Sequence, residues 1–390
     1  ELRFGRTIDA GLNILTGMMG RLKETHEKVL SGVEAFKLND TFGFPLDLTR
    51  EIAAEAGLAV DEAAFHIEMT KQRERARAER LAKDISGWSA DLFGELTADA
   101  TQFDGYETLS EKAKVLALSD GEELVDAIAT DEAGEAKDGV LVVLDRTPFY
   151  AEMGGQVADH GYLVSGDAKL KVTQVKKTPK GYFVHTCELL DGTIHGGDEV
   201  TASVDEKRRA AICRNHTATH LLQKALREVL GEHVHQAGSY QDDRITHFDF
   251  THFSAVSPAE LAEVERRVNE KIYEALPVTV KNLPIEEAKK MGAMALFGEK
   301  YGSVVRVVDA GGWSTEFCGG THVTNTAQIG CFKILSESSV AAGIRRIEAT
   351  TAFGVLDLLD DRTETLAKTA VALKANNLKD APARAEARAA

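Results

Sequence analysis

Two short patterns carry side chains that could hold a metal ion. HTATH sets His216 and His220 four residues apart, and CGGTH sets Cys318 and His322 at the same interval. On a helix that interval sends both side chains out of one face, within reach of one ion. Random placement of this chain's histidines and cysteines would yield roughly 0.4 matches to the first pattern and roughly 0.1 to the second, so either alone is weak and both together are uncommon. Three imidazoles and one thiolate suit Zn2+ better than Ca2+ or Mg2+, which prefer oxygen ligands. Packing or surface histidines beside a buried, apolar cysteine are the competing account of the same spacing. If all four residues bind, the site is closed and of structural type. If Cys318 is long or labile, a bound water becomes available for hydrolysis. HTATH lacks the glutamate of HExxH, which argues against a zinc protease.

The elements that must position these residues follow from periodicity and punctuation. Asp205 is placed to cap a helix through about Leu230, so HTATH is expected on that helix, while CGGTH falls in a glycine-rich turn. Around them the sequence predicts a strand at THFDF, a helix over 258–276 capped by Ser257, and strands at VTVKNL and SVVRVVD. Upstream, KVLALS, VLVVLD, YLVS, KLKVTQV, GYFVHTCEL and EVTASV are short β-branched or alternating runs separated by turn residues, the texture of a small barrel or sandwich. The residues up to about 94 read as helical. Leu12, Ile14, Leu15, Met18, Met19 and Leu22 recur at helical spacing, Pro45 opens a helix that Gly57 can close, and Asp61 can cap a charged helix through Lys83. Within it KQRERARAERLAK, residues 71–83, could meet RNA phosphate or be a solvated face. A last helix follows Thr351, and the alanine-rich terminus has little to pack.

The expected fold class is therefore multidomain α+β: a helical segment over 1–94, a small β-barrel over 95–204, an α+β metal-containing domain over 205–352, and the start of a helical or coiled-coil linker over 353–390. A chain of 390 residues, 43% hydrophobic, can bury more than one core. Its net charge of −16 excludes a strongly basic polyanion binder as a whole-chain description, so nucleic-acid contact would need local patches. Four cysteines without regular spacing, and no apolar run near about 18 residues, point to a reduced, cytoplasmic protein that does not enter the membrane. The chain starts at Glu1, in what reads as mid-helix, and is expected to be a piece of a longer protein.

HTATHLLQKALREVLG, HVHQAGSY, RITHFDFTHFSAVS and FCGGTHVTNTAQIGCFKILSESSVAAGIRRIEA, in that order, resemble the editing domain of the alanyl-tRNA synthetase family. FYAEMGGQVADHG resembles the glycine-rich segment of the β-barrel before that domain, and AFKLNDTFGFPLDLT the end of the tRNA-recognition region. The resemblance covers essentially the whole chain. It implies hydrolysis of tRNA(Ala) mischarged with serine or glycine, by a part of the enzyme that attaches alanine to tRNA(Ala). The physical need is independent of the family: selecting an amino acid by a methyl group or less yields only about 10 to 200-fold in one step, so a second, hydrolytic site is required.

The resemblance also implies residue roles. His216, His220, Cys318 and His322 occupy zinc-ligand positions, one Zn2+ per chain. Thr219 matches a threonine associated with the serine side chain, although it could equally bond back to its own helical turn. Gln236 matches a glutamine near the substrate or attacking water; a surface amide in a turn is the alternative. Gly154, Gly155, Asp159 and Gly161 could approach tRNA backbone or be ordinary turn residues, and Arg208, Arg209 and Arg214 could hold the acceptor end or form salt bridges. ATP and Mg2+ would belong to an aminoacylation core outside these residues. The expected partner is tRNA(Ala), with no DNA or membrane partner, and homodimerisation would fall to a C-terminal domain. Other readings are a free-standing trans-editing deacylase, a threonyl-tRNA synthetase editing domain with the same metal spacing, and a non-catalytic zinc-stabilised RNA-binding module.

Overall fold

The computed structural model describes residues 2–389 except 26–27, 43, 70, 72–91, 131–135, 293 and 295–301. The basic stretch 71–83 lies almost entirely outside the described residues. The chain divides into two compact units, Glu1–Phe93 and Gly94–Ala390.

In the first unit, helices α1 (Leu2–Thr25), α2 (Gly32–Phe42) and α3 (Leu46–Glu55) enclose a core that includes Leu15, Met18, Leu22, Leu38 and Phe44. Pro45 precedes α3 and Gly57 follows it at φ +73°. Asp61 accepts from the Ala64 amide at 2.9 Å, as a helix cap should. Not everything here is helical: β1 (Val29–Leu30) and β2 (Ala59–Val60) form a short parallel pair.

The second unit begins with a closed six-stranded barrel. Its strands are β3 (Ser110–Ser119), β4 (Lys137–Leu144), β5 (Gly161–Ser165), β6 (Ala168–Lys177), β7 (Phe183–Asp191) and β8 (Glu199–Val204), in the order β8-β5-β6-β7-β4-β3, with β8 closing back on β3. Along β6, Leu170 and Val172 point into the core while Lys169 and Lys171 face outward, the period of two that a half-buried strand requires. Each such aliphatic side chain stabilises the barrel by about 1.5–3 kcal/mol.

Helix α4 (Glu206–Leu230) leaves β8 directly, with the Asp205 carboxylate accepting from the Arg208 amide at 3.0 Å. It packs, with α5 (Pro258–Tyr273), on a four-stranded sheet of β9 (Gln236–Gln241), β10 (Thr246–Thr251), β14 (Phe332–Ala341) and β15 (Ile344–Thr351), ordered β9-β10-β15-β14. Leu221, Leu222 and Leu226 of α4 meet Phe248, Phe250 and Ile347 of the sheet in one core. Ser257 and Glu260 form a capping box at the start of α5. A second, three-stranded sheet comprises β11 (Val278–Pro284), β12 (Val304–Ala310) and β13 (Ser314–Phe317). Helices α6 (Phe353–Ala372) and α7 (Ala381–Ala389) end the chain; the alanine-rich terminus is helical and Ala381 is buried.

Gln236 opens a strand, which sets aside the turn offered as its alternative, and residues 332–351 form a hairpin. Both are tertiary effects: β9 is polar and short of β-formers, and it is strand only because β10 pairs with it.

One ion pair joins the barrel to α4. The Arg209 side chain, 4% exposed, is bonded to the fully buried Asp159, with Nε 2.9 Å from Oδ1, and its remaining donors reach the Gly105 and Pro148 carbonyls at 2.7 and 2.9 Å. Of the two accounts the sequence left open for Arg209, phosphate contact or salt bridge, the geometry favours the salt bridge, and Asp159 is its partner.

Candidate metal centre

His216 and His220 lie one turn apart on the buried face of α4. Cys318 and His322 come from the loop after β13, which is held in three ways. The Cys318 amide donates to the Arg306 carbonyl, the Arg306 guanidinium donates back to the Cys318 and Gly320 carbonyls at 2.8 and 2.7 Å, and the Tyr106 hydroxyl donates to the Gly319 carbonyl. The guanidinium also lies 4.0 Å over the Tyr106 ring. Gly320 has a steric reason: a Cβ there would run into the His216 ring.

The four donor groups converge, with all donor atoms within 4.8 Å of one another. Cys318 Sγ is 3.3 Å from His216 Nε2 and 3.2 Å from His322 Nε2. A tetrahedral zinc, with bonds of about 2.0 Å to nitrogen and 2.3 Å to sulfur, spaces its donors roughly 3.3–3.6 Å apart; the two sulfur–nitrogen distances match that spacing, and three imidazoles with one thiolate are donors suited to such an ion.

Two of the three imidazoles are oriented by a hydrogen bond to their other nitrogen. Gln156 Oε1 accepts from the Thr321 amide at 2.8 Å and lies 2.8 Å from His216 Nδ1, so it is the amide oxygen and Nδ1 carries the proton. The Thr217 hydroxyl donates to the Cys213 carbonyl at 2.8 Å, so at 3.1 Å it accepts from His322 Nδ1. His220 Nδ1 faces Glu316 Oε2 at 3.8 Å. His216 and His322 therefore turn Nε2 toward the cluster as lone-pair donors, and partners of this kind sharpen metal affinity.

Electrostatics agree with that protonation. Burial first, then the neighbouring His220 and Arg306, holds His216 well below its ordinary value. Burial and Arg306 bring His220 to about 3, and burial followed by the two other histidines and Arg306 lowers His322 strongly. Glu316 is pushed up to about 8 by burial, against Ser314 and Arg227.

A cavity of about 210 Å³ opens beside the cluster, lined among others by Thr219, Gln236, Gln241 and Glu316. The Thr219 hydroxyl donates to the Asn215 carbonyl at 2.8 Å and lies 2.7 Å from Thr246 Oγ1. It thus bonds back to its own turn and still lines the cavity. Gln236 Nε2 donates to Ser239 Oγ at 3.0 Å.

The remaining candidates are scattered. Gly154, at φ +61°, lines the same cavity, and Gly155, at φ +84°, allows an approach to Ser239 that a Cβ would obstruct. A Cβ at Gly161 would meet the Ser203 carbonyl, which makes that glycine a barrel packing residue. Arg208 donates to the Ala158 carbonyl at 2.6 Å and pairs with Asp243 at 3.2 Å. Half-buried Arg214 lines a separate cavity of about 580 Å³ that touches His322 from another side. Sequence spacing had no means of finding Gln156, Thr217, Glu316 or Arg306 as supports of the cluster, because each acts through a contact that only the fold creates.

Comparisons with known proteins agree on family. The family model described as tRNA synthetases class II (A) matches residues 1–208, and that of the threonyl and alanyl tRNA synthetase second additional domain matches residues 305–348. An alanine–tRNA ligase of Acetivibrio thermocellus is 49% identical over 377 residues, covering 96% of this chain and 42% of the relative. Those of Shouchella clausii and Bacillus cereus are each 47% identical, over 386 and 376 residues, with 99% and 96% of this chain covered. The chain spans 42–43% of the length of these three relatives.

Proposed function

This chain belongs to the alanyl-tRNA synthetase family of class II, and we propose that it performs that family's editing hydrolysis, releasing serine or glycine wrongly attached to tRNA(Ala). The observation that carries the reading is the convergence of His216, His220, Cys318 and His322 beside a cavity of about 210 Å³. The longer protein would attach alanine to tRNA(Ala) with ATP and Mg2+ at a core outside these residues, in the cytoplasm. The domains of this chain would run 1–94, 95–204, 205–352 and 353–390, with homodimerisation falling to a C-terminal part.

The donor set fits Zn2+. When bound, zinc would supply Lewis acidity toward the aminoacyl ester end. His216, His220, Cys318 and His322 would hold it, with Gln156 and Thr217 fixing the tautomers of His216 and His322 so that Nε2 turns inward. Hydrolysis bonds a water oxygen to the ester carbonyl carbon, breaks the bond to the ribose oxygen, and returns a proton to that oxygen. Gln236 is neutral, so its part is to hold the water rather than deprotonate it. The Thr219 proton is committed to Asn215, so toward a substrate hydroxyl Thr219 acts as an acceptor.

The test is deacylation of Ser-tRNA(Ala) and Ala-tRNA(Ala) by the chain and by a His216→Ala, His220→Ala double variant, with zinc content measured in both. Serine-selective hydrolysis lost in the variant supports the reading. One observation favours a second reading: four protein donors make a closed, structural site. Stoichiometric zinc with no hydrolysis would favour that non-catalytic module. The match over residues 1–208 supports a synthetase parent over a free-standing deacylase.

A further inference from the structure

Gln241 is the last residue of β9, paired in register with Thr246 of β10. Its side chain is fully buried and lines the metal-side cavity, yet neither Oε1 nor Nε2 has a hydrogen-bond partner among the described residues. Buried amides are nearly always satisfied, and one that is not destabilises the chain that keeps it.

The amide has no easy retreat. The Gln241 amide nitrogen donates to the Gly155 carbonyl at 2.8 Å and its carbonyl accepts from the Val157 amide at 3.1 Å. The backbone is therefore clamped between β10 and the barrel segment. Across the ladder, Thr246 Oγ1 sits 2.7 Å from Thr219 Oγ1, whose proton goes to the Asn215 carbonyl. The cavity thus combines a hydroxyl limited to accepting with an amide whose donor and acceptor are both unused.

A small hydroxyl-bearing substrate completes this arrangement: its oxygen accepts from Gln241 Nε2 and its proton goes to Thr219 Oγ1 or Gln241 Oε1. A methyl group in the same place would leave the amide unsatisfied. Resting on the editing reading above, we propose that Gln241 recognises the serine hydroxyl of the mischarged aminoacyl end and rejects alanine through its own unmet hydrogen bonds. Sites built to hydrogen-bond a substrate hydroxyl discriminate against analogues lacking it far better than apolar pockets do.

The experiment titrates the chain, with Zn2+ present, with the non-hydrolysable 3′-(L-seryl)amino- and 3′-(L-alanyl)amino-3′-deoxyadenosines, and compares Gln241→Leu and Gln241→Met. The unsubstituted chain is expected to prefer the seryl compound by about tenfold or more, and both variants to lose that preference. Thermal unfolding of the variants should match or exceed that of the parent, because an unsatisfied buried amide has been removed. No preference in the parent, a preference retained in both variants, or a large loss of stability in both would overturn the assignment. Hydrolysis of Ser-tRNA(Ala) is followed alongside: its absence with the binding preference intact would remove the editing reading and leave the role of Gln241 standing.

Discussion

Gln156 of the barrel segment and His216 of α4, 60 residues apart in sequence, meet at 2.8 Å between Oε1 and Nδ1. That contact ties the barrel to the candidate metal centre, since the same oxygen receives the Thr321 amide of the ligand loop. Replacing Gln156 with Leu removes the group that fixes the His216 tautomer. Zinc affinity, measured by chelator competition, is expected to fall about 10 to 100-fold while the fold persists.

Gly319 and Gly320 are adjacent and should respond differently to alanine. A Cβ at Gly319 meets nothing within 4 Å, whereas one at Gly320 runs into the His216 ring. Gly319→Ala should bind zinc like the parent, and Gly320→Ala should bind it substoichiometrically. Equal zinc content in the two variants would contradict the packing described here.

The Arg209–Asp159 pair should behave as a buried structural tie. Arg209→Met leaves the Asp159 carboxylate enclosed without its counter-charge, and urea unfolding should show a loss of about 3–5 kcal/mol. Adding Asp159→Asn should recover part of that loss. If these residues instead contacted tRNA, Arg209→Met would weaken tRNA binding while stability stayed constant.

His185, fully buried in the barrel, gives a pH signature away from the metal. Its Nδ1 faces the Val142 carbonyl at 3.0 Å, which can only accept, so Nδ1 is protonated and Nε2 accepts from the Thr147 hydroxyl at 2.8 Å. Burial lowers its pKa from 6.5 to about 4, against the Val142 hydrogen bond. Between those two values the unfolded chain binds a proton that the folded chain does not, so stability falls as pH drops through that window and is unaffected by this group above it. The loss approaches about 3 kcal/mol near pH 4. His185→Gln should flatten that acid limb in unfolding titrations, and an unchanged slope would assign the limb to other groups.

Local chemistry made much of this protein legible before any coordinates. Asp205 and Ser257 mark helix starts because their side chains satisfy the first turn's amides, and the barrel strands announce themselves through period-two burial. The four metal-ligand candidates could be named because a four-residue interval is itself a statement about one helix face or one turn. What the sequence could not reveal is how its distant segments meet. The stretch from Gln236 to Gln241 carries few β-formers and becomes a strand only where β10 pairs with it. Sequence left open whether Arg209 binds phosphate or forms a salt bridge; the fold brings it to Asp159, 50 residues away, inside the protein. Gln156, Thr217, Glu316 and Arg306 acquire roles only where the barrel, α4 and the loop after β13 converge. The reason is physical: helix caps and alternation are set by neighbours in the chain, whereas burial, orientation and unsatisfied hydrogen bonds are set by neighbours in space.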